Sequence, residues 1–250
     1  MPASRTILTD RSRYSTGLSK CQMARYYNYE ALGKGIRKIG SSTPLITGTQ
    51  IHECLAKIMI ETRDKGVPDE GFIKQVIKDS QEVYRKTILG EGFLEAILQE
   101  EEAILLQEQC NLIEGLVWGW YLHVLQAITS EFEIVSVEQE ELYEVPEGPY
   151  KVIQMSRPDF VLRSRVTKKL ILGDFKSTAQ LNDEWVREWA SSIQMAVGTL
   201  GVEARLKEPV EQFYIHALVK GGRRSDYNTA TKAYDGPRRR IHATLFVALL

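Results

Sequence analysis

Cysteine is scarce in this chain: its 250 residues hold three, Cys21, Cys54 and Cys110. An odd number at wide spacing supports no disulfide framework and fits reduced thiols in a cytosolic compartment. Long apolar runs are missing as well, so no segment has the length to span a bilayer. Met1 to Arg13 lacks the apolar stretch of a secretory leader. Phosphate-binding glycine loops are also lacking. Gly33-Lys34-Gly35 has no third glycine of a dinucleotide fingerprint and leads to no Lys-Ser/Thr ending, so it reads as a connection. Without a P-loop, any motor acting with this chain is a separate protein. Net charge is nearly absent too, at −1.

The composition is otherwise that of a globular protein, 43% hydrophobic and 26% charged, and the length suits one domain or one domain with an insertion. Charge is unevenly placed. Residues 150–250 hold 17 Lys and Arg against 10 Asp and Glu, and residues 1–149 hold 15 against 23. The second half is the one suited to meet phosphates, although solvated surface charge gives the same counts.

The most informative stretch runs from Arg157 to Thr178. Arg157-Pro158-Asp159-Phe160-Val161-Leu162 and Leu170-Ile171-Leu172-Gly173-Asp174-Phe175-Lys176 read as two strands joined by a polar turn. Leu170-Ile171-Leu172 does not alternate, as expected of a strand covered on both faces. Asp174 and Lys176 project from one side of it. Charges at the end of a buried strand are costly without a partner or a task. A metal ion shared with Asp159 supplies both.

Pro-Asp on one strand and Asp-x-Lys on the next, followed by Ser177-Thr178, resembles the PD-(D/E)XK nuclease superfamily, and most closely its RecB-like branch. Other segments carry the resemblance in order. Ser15 to Tyr29, with a helix expected over Leu18 to Ala31 capped by Thr16 or Ser19, is similar to an aromatic N-terminal helix of that branch. Cys21 stands where iron–sulfur members place their first ligand. The other three ligands of such clusters lie near the C-terminus, and no cysteine follows Cys110. No iron–sulfur cluster is therefore expected, and Cys21 reads as a small buried residue.

A second helix is expected over Thr47 to Lys65, with Gly48, His52, Leu55, Ala56 and Met59 on one face. An inward His is either a hydrogen-bonded core residue or a ligand. Gly48-Thr49-Gln50-Ile51-His52-Glu53 resembles the branch's Gly-x-x-x-His-Glu motif, whose His binds metal. Two more helices are expected over Asp69 to Leu89 and Gly90 to Ile128. Residues 66–128 then resemble a helical insertion, and form an arch or wall over the site. Glu131 to Val145 and Tyr150 to Leu162 read as an antiparallel hairpin. Glu138 or Glu140 there is either a further carboxylate or part of an exposed strand end. One helix is expected over Asn182 to Gly201, capped by Asn182, with Trp185, Trp189, Ile193, Ala196, Val197 and Leu200 as its packed stripe. Gln194 resembles the glutamine that helps position the site in RecB-like nucleases. The Tyr often found four residues later is here Gly198. Strands follow over Pro209 to Lys220 and Ile241 to Leu250. Between them Arg223, Arg224, Lys232, Arg238 and Arg239, interleaved with Tyr227 and Tyr234, suit either nucleic-acid binding or a solubilising hairpin.

The resemblance implies an α/β (α+β) fold over residues 1–250: a restriction-endonuclease-like mixed central sheet flanked by helices, with a helical N-terminal part. It also implies a metal-dependent, cytoplasmic deoxyribonuclease, more specifically an exonuclease. Asp159 and Asp174 would bind Mg²⁺ or Mn²⁺ with His52 and the main-chain carbonyl of Phe175. Lys176 would orient the attacking water, and Gln194 would assist. The alternative is a catalytically idle nuclease-like subunit that binds nucleic acid or serves in assembly. Such a subunit usually loses one of Asp159, Asp174 or Lys176, and all three are present.

Overall fold

The two Val-, Ile-, Leu- and Phe-rich runs form the middle of the molecule. The computed structural model describes residues 6–10, 12–13, 21–33, 42–90, 99–145, 151–179, 181–190, 192–220, 223–228, 233–239 and 242–249, the last three segments as backbone. In chain order these form β1 (Thr6–Asp10), α1 (Gln22–Tyr29), a 3-10 turn (Ala31–Gly33), α2 (Thr43–Lys65), α3 (Glu70–Leu89) and α4 (Glu100–Trp120). A π-helical turn, Tyr121–Leu125, joins α4 to α5 (Gln126–Glu131). Then come β2 (Phe132–Val137), β3 (Glu141–Val145), β4 (Lys151–Ser156), β5 (Phe160–Ser164) and β6 (Leu170–Thr178). The chain continues as α6 (Asp183–Ala190), α7 (Ile193–Leu206), β7 (Val210–Val219), β8 (Arg223–Asn228), β9 (Ala233–Arg239) and β10 (His242–Leu249). Among the described residues, no helix is long and apolar enough to cross a membrane.

A five-stranded mixed sheet runs β10-β7-β6-β5-β2, with β6 and β7 parallel and the other pairs antiparallel. Its two faces are both apolar, which is why β6 shows no alternation. Phe160, Leu162, Ile171 and Phe175 pack with Ile51, Leu55, Ile113 and Trp120 of α2 and α4. Val161, Leu170, Leu172, Phe213 and Ile215 pack on the other side with Met195 and Val202 of α7. This is the restriction-endonuclease-like arrangement expected, a mixed sheet between helices. Residues of α3 and α4, Tyr84 and Trp120 among them, share one core with the sheet; these helices are thus a packed layer and not an arch standing off it.

The expected hairpin is present but divided. Glu138 adopts φ 48° and donates its amide to the Asp159 carbonyl at 2.9 Å. Pro158, which has no N–H for a ladder, interrupts the partner strand. Below this break β2 pairs with β5 in the central sheet. Above it β3 pairs with β4 in a second, three-stranded mixed sheet of order β1-β4-β3. The buried Glu141 carboxylate fastens that second sheet to α7. Arg205 Nε lies 2.9 and 2.7 Å from its oxygens, and Arg205 Nη2 donates to Ser136 at 3.0 Å.

Two further expectations are corrected. The helix over Asn182 to Gly201 is two helices. Asn182 does cap the first, accepting from the Trp185 amide at 2.9 Å, but Ser192 caps a second by accepting from Gln194. The break changes the helical phase, so Met195, Val197, Gly198, Gly201 and Val202 are buried while Ile193 and Leu200 are exposed. Cys21 is exposed and not buried; it caps α1, its Sγ accepting from the Ala24 amide at 3.2 Å, and α1 buries none of its residues. Thr16 and Ser19, the caps expected there, lie outside the described residues.

Gly173 is fixed by a close approach. A Cβ there would lie 1.7 Å from the ring of Phe160, its cross-strand partner. Gly173→Ala should therefore drive the Phe160 ring from its place and destabilise the fold by about 2 kcal/mol or more. Urea titration should show this loss partly recovered in Gly173→Ala/Phe160→Leu, because the two positions share one space.

Candidate active site

Asp159 immediately precedes β5 and Asp174 lies in β6, next to the paired residues Phe160 and Gly173. Register alone therefore sets the two carboxylates beside each other. Both are buried, at 8% and 2% exposed. The Phe175 amide donates to Asp159 Oδ2 at 2.6 Å, which fixes that carboxylate against β6. In an extended strand a residue's N–H and C=O point to the same edge. The Phe175 carbonyl therefore faces the Asp159 side as well.

Other elements bring the remaining groups. His52 stands on α2, whose buried residues include Ile51, Leu55, Ala56, Ile58 and Met59. It is half-buried at the end of the β5–β6 pair, with Nδ1 3.3 Å from Asp159 Oδ2. Gly48, one turn earlier, lets α2 approach the sheet: a Cβ there would lie 3.3 Å from Ser177 Oγ. On the opposite side Lys176 forms an ion pair with Asp174 Oδ2, and Gln194 donates from Nε2 to Asp174 Oδ1 at 2.7 Å. The Lys176 ammonium also lies over the Trp189 ring, 4.8 Å from its centroid.

His52, Asp159, Asp174, Phe175, Lys176 and Gln194 thus meet at one end of the β5–β6 pair. They meet in pairs, however: among the described residues, no three His, Cys, Asp or Glu side chains stand together as a ready-made metal cage. Arg223, Arg224, Arg238 and Arg239 lie on the β8–β9 ribbon, where the register sets Arg223 opposite Arg239 and Arg224 opposite Arg238. Lys232 lies outside the described residues.

Two clefts flank this centre. One, of about 840 Å³, contains His52, Glu53, Glu138, Arg157, Asp159 and Lys176 in its lining. The other, of about 440 Å³, reaches Asp174 and Gln194 from the α7 side and again includes Arg157. Glu138 is not part of an exposed strand end. It is half-buried in the first cleft and paired with Arg157 Nε at 2.9 Å. Its place depends on the turn at Pro158, and that proline was the one sequence signal for it.

Electrostatics divide the two central carboxyls. Burial pushes both upward. For Asp159 that effect is outweighed by the His52 hydrogen bond, the His52 and Lys176 charges and the Phe175 amide, and its carboxyl lies below the ordinary range. For Asp174, burial and the Asp159 charge prevail over Lys176 and His52, and its carboxyl is pushed up to about 7. Glu138 is raised by burial and by Asp159. The pair is thus one whose second negative charge is resisted, the electrostatic situation that a hard cation relieves. Two carboxylates, one imidazole and one main-chain carbonyl also suit Mg²⁺ or Mn²⁺ as a donor set.

Beneath the centre lies a buried aromatic layer that the sequence did not single out. Trp120 Nε1 donates to His216 Nδ1 at 3.1 Å, and both rings contact Phe175. Burial pushes the His216 imidazole down to about 3, so it stays neutral and supports Phe175 as an apolar ring does.

A model of the PD-(D/E)XK nuclease superfamily matches residues 15–243. The chain belongs to that superfamily. Its members are in general phosphodiester-cleaving nucleases that use divalent metals. No curated protein matches the chain. A solved structure described as "Crystal structure of SSO0001" is similar over 83% of this chain and 78% of its own, at 13% identity and a TM-score of 0.28. A likeness that slight carries no argument about fold or function.

The raised Asp174 carboxyl has a consequence for stability. Between its unfolded value near 4 and about 7 the folded protein holds a proton that the unfolded chain does not, so this group's contribution to stability falls as pH rises. In buffer without divalent ions, the melting temperature of Asp174→Asn relative to the parent protein should therefore rise from pH 5 to about pH 7 and level off above it. Thermal melts at intervals across that window check it.

Proposed function

We propose that the protein is a divalent-metal-dependent deoxyribonuclease, an exonuclease of the RecB-like type without an iron–sulfur cluster, acting in the cytoplasm in DNA processing, recombination or repair. The observation that carries this reading is the juxtaposition of Asp159 and Asp174 with a cation on one side, Lys176, and an imidazole on the other, His52. In this reading residues 1–250 are one nuclease domain, with 66–128 a helical insertion within it.

The residues divide the work as follows. Asp159, Asp174, His52 and the Phe175 carbonyl would hold Mg²⁺ or Mn²⁺. When bound, such an ion supplies Lewis acidity toward a phosphoryl oxygen and lowers the cost of deprotonating water. Lys176 stands beside Asp174, where its ammonium offsets negative charge growing on the phosphate and orients the attacking water. Gln194 holds the Asp174 oxygen that Lys176 does not, and so fixes the carboxylate's plane. The arginines of the β8–β9 ribbon support the reading of the C-terminal half as a phosphate-binding surface. The register sets Arg223 opposite Arg239 and Arg224 opposite Arg238, at one end of the ribbon, and residues of that type suit contact with phosphates.

Labelled single- and double-stranded DNA incubated with the protein and Mn²⁺ or Mg²⁺ should be degraded from its ends. Asp174→Ala and Lys176→Ala should each lower the rate at least about a hundredfold while keeping a cooperative thermal transition. Undiminished cleavage in either variant would rule out this site. Tight DNA binding with no cleavage at any metal concentration would instead favour the idle, assembly-type subunit.

A further inference from the structure

The cleft on the α7 side of Asp174 has a glycine in its wall. Gly198 lies four residues after Gln194, one turn along the same face of α7. A Cβ there would stand 3.0 Å from Leu172 Cδ2 and 3.7 Å from Pro158 Cγ. A large side chain at that position would occupy the space; with glycine, about 440 Å³ remains open directly beside Asp174 and Gln194. That volume falls in the range of small-molecule sites.

The lining defines what fits. Met155, Pro158, Leu172, Met195 and Val197 give apolar walls. The two thioethers are polarisable and adapt to the face of an aromatic ring. Among the described residues the charged part of the lining is Asp10, Glu140 and Asp174 against Arg157, with Ser12, Ser156 and Gln194 as neutral polar groups. The acidic groups there outnumber the one arginine, so a phosphate is less favoured than a neutral group. A flat neutral heterocycle with N–H groups at its edge satisfies both halves of the lining. Arg157, paired with Glu138, lines both clefts.

We propose that this cleft receives the nucleobase next to the scissile phosphate, so that the centre holds its substrate by one unstacked base as well as by its backbone. This rests on the nuclease reading and adds to it a subsite with Gly198 in its wall. Base stacking of this kind is sequence-tolerant, because every base has a π face.

The test uses the full chain and short single-stranded oligonucleotides with Mn²⁺, in which one abasic residue is moved through the first three positions from each end. Cleavage by the parent protein should fall at least about fivefold for an abasic residue at one position and little at the others. Val197→Phe, which fills the cleft from its wall, should lower kcat/KM on the intact oligonucleotide and show no further loss on the abasic one. Anisotropy of the same labelled oligonucleotides in Ca²⁺ reads binding without turnover. Cleavage indifferent to the abasic residue at every position, or a Val197→Phe protein that keeps the full discrimination, overturns the base pocket and leaves the nuclease reading intact. Base-dependent binding without cleavage upholds the pocket and overturns the nuclease reading. Absence of both binding and cleavage overturns both.

Discussion

Two carboxyl groups that burial discourages from being charged together are held side by side by strand register. That is the constraint on which the centre depends. The pairing of Phe160 with Gly173 sets Asp159 against Asp174, and the Phe175 amide bonded to Asp159 fixes the first carboxylate in place. The surroundings treat the two unequally. Asp159 receives His52 and a backbone N–H, and its charge is favoured. Asp174 has a lysine and a glutamine but bears the repulsion of its neighbour, and its charge is resisted. A centre of this kind binds protons or cations more readily than a pair of surface acids would.

The rest of the fold holds that arrangement rigid. Helices cover both faces of the central sheet, so the β5–β6 pair has no freedom to slip without exposing one apolar face or the other. Phe160 lies across Gly173, and Phe175 lies on Trp120 and His216. These rings support from below the strand ends that carry the charged groups above. The turn through Glu138 and Pro158 then carries the chain out of the central sheet into a second one. Clefts are left on both sides of the carboxylates, with Arg157 common to both. A site reached from two sides suits an extended substrate better than a compact one.

Much of this was legible in the sequence, for physical reasons. The unbroken apolar run of β6 marked a strand covered on both faces, and the two-residue spacing of Asp174 and Lys176 placed them on one side. What escaped was phase and breaks. Pro158 within an apparent strand is a sign that the hairpin divides, but the continuous strand-like residues on either side of it conceal the change of sheet. Ser192 was the matching sign for α6 and α7; without that break, Ile193 and Leu200 were assigned to a buried stripe although they are exposed. Helical spacing puts His52 on the inward side of α2 but leaves open whether it meets the core or the carboxylates; its 3.3 Å approach to Asp159 is a contact between distant elements. Trp120 and His216 are 96 residues apart, and no local pattern foretells such a contact.

The central claim is that Asp159 and Asp174 form a cation site whose occupation removes a proton. Titration calorimetry of Mn²⁺ into the protein at pH 6.5, repeated in two buffers of different ionisation heat, measures this directly. The account predicts saturable binding with proton release, and in Asp174→Asn an affinity at least about tenfold weaker with the proton release lost. Binding of equal strength in the parent protein and Asp174→Asn, or no saturable binding in either, would contradict it.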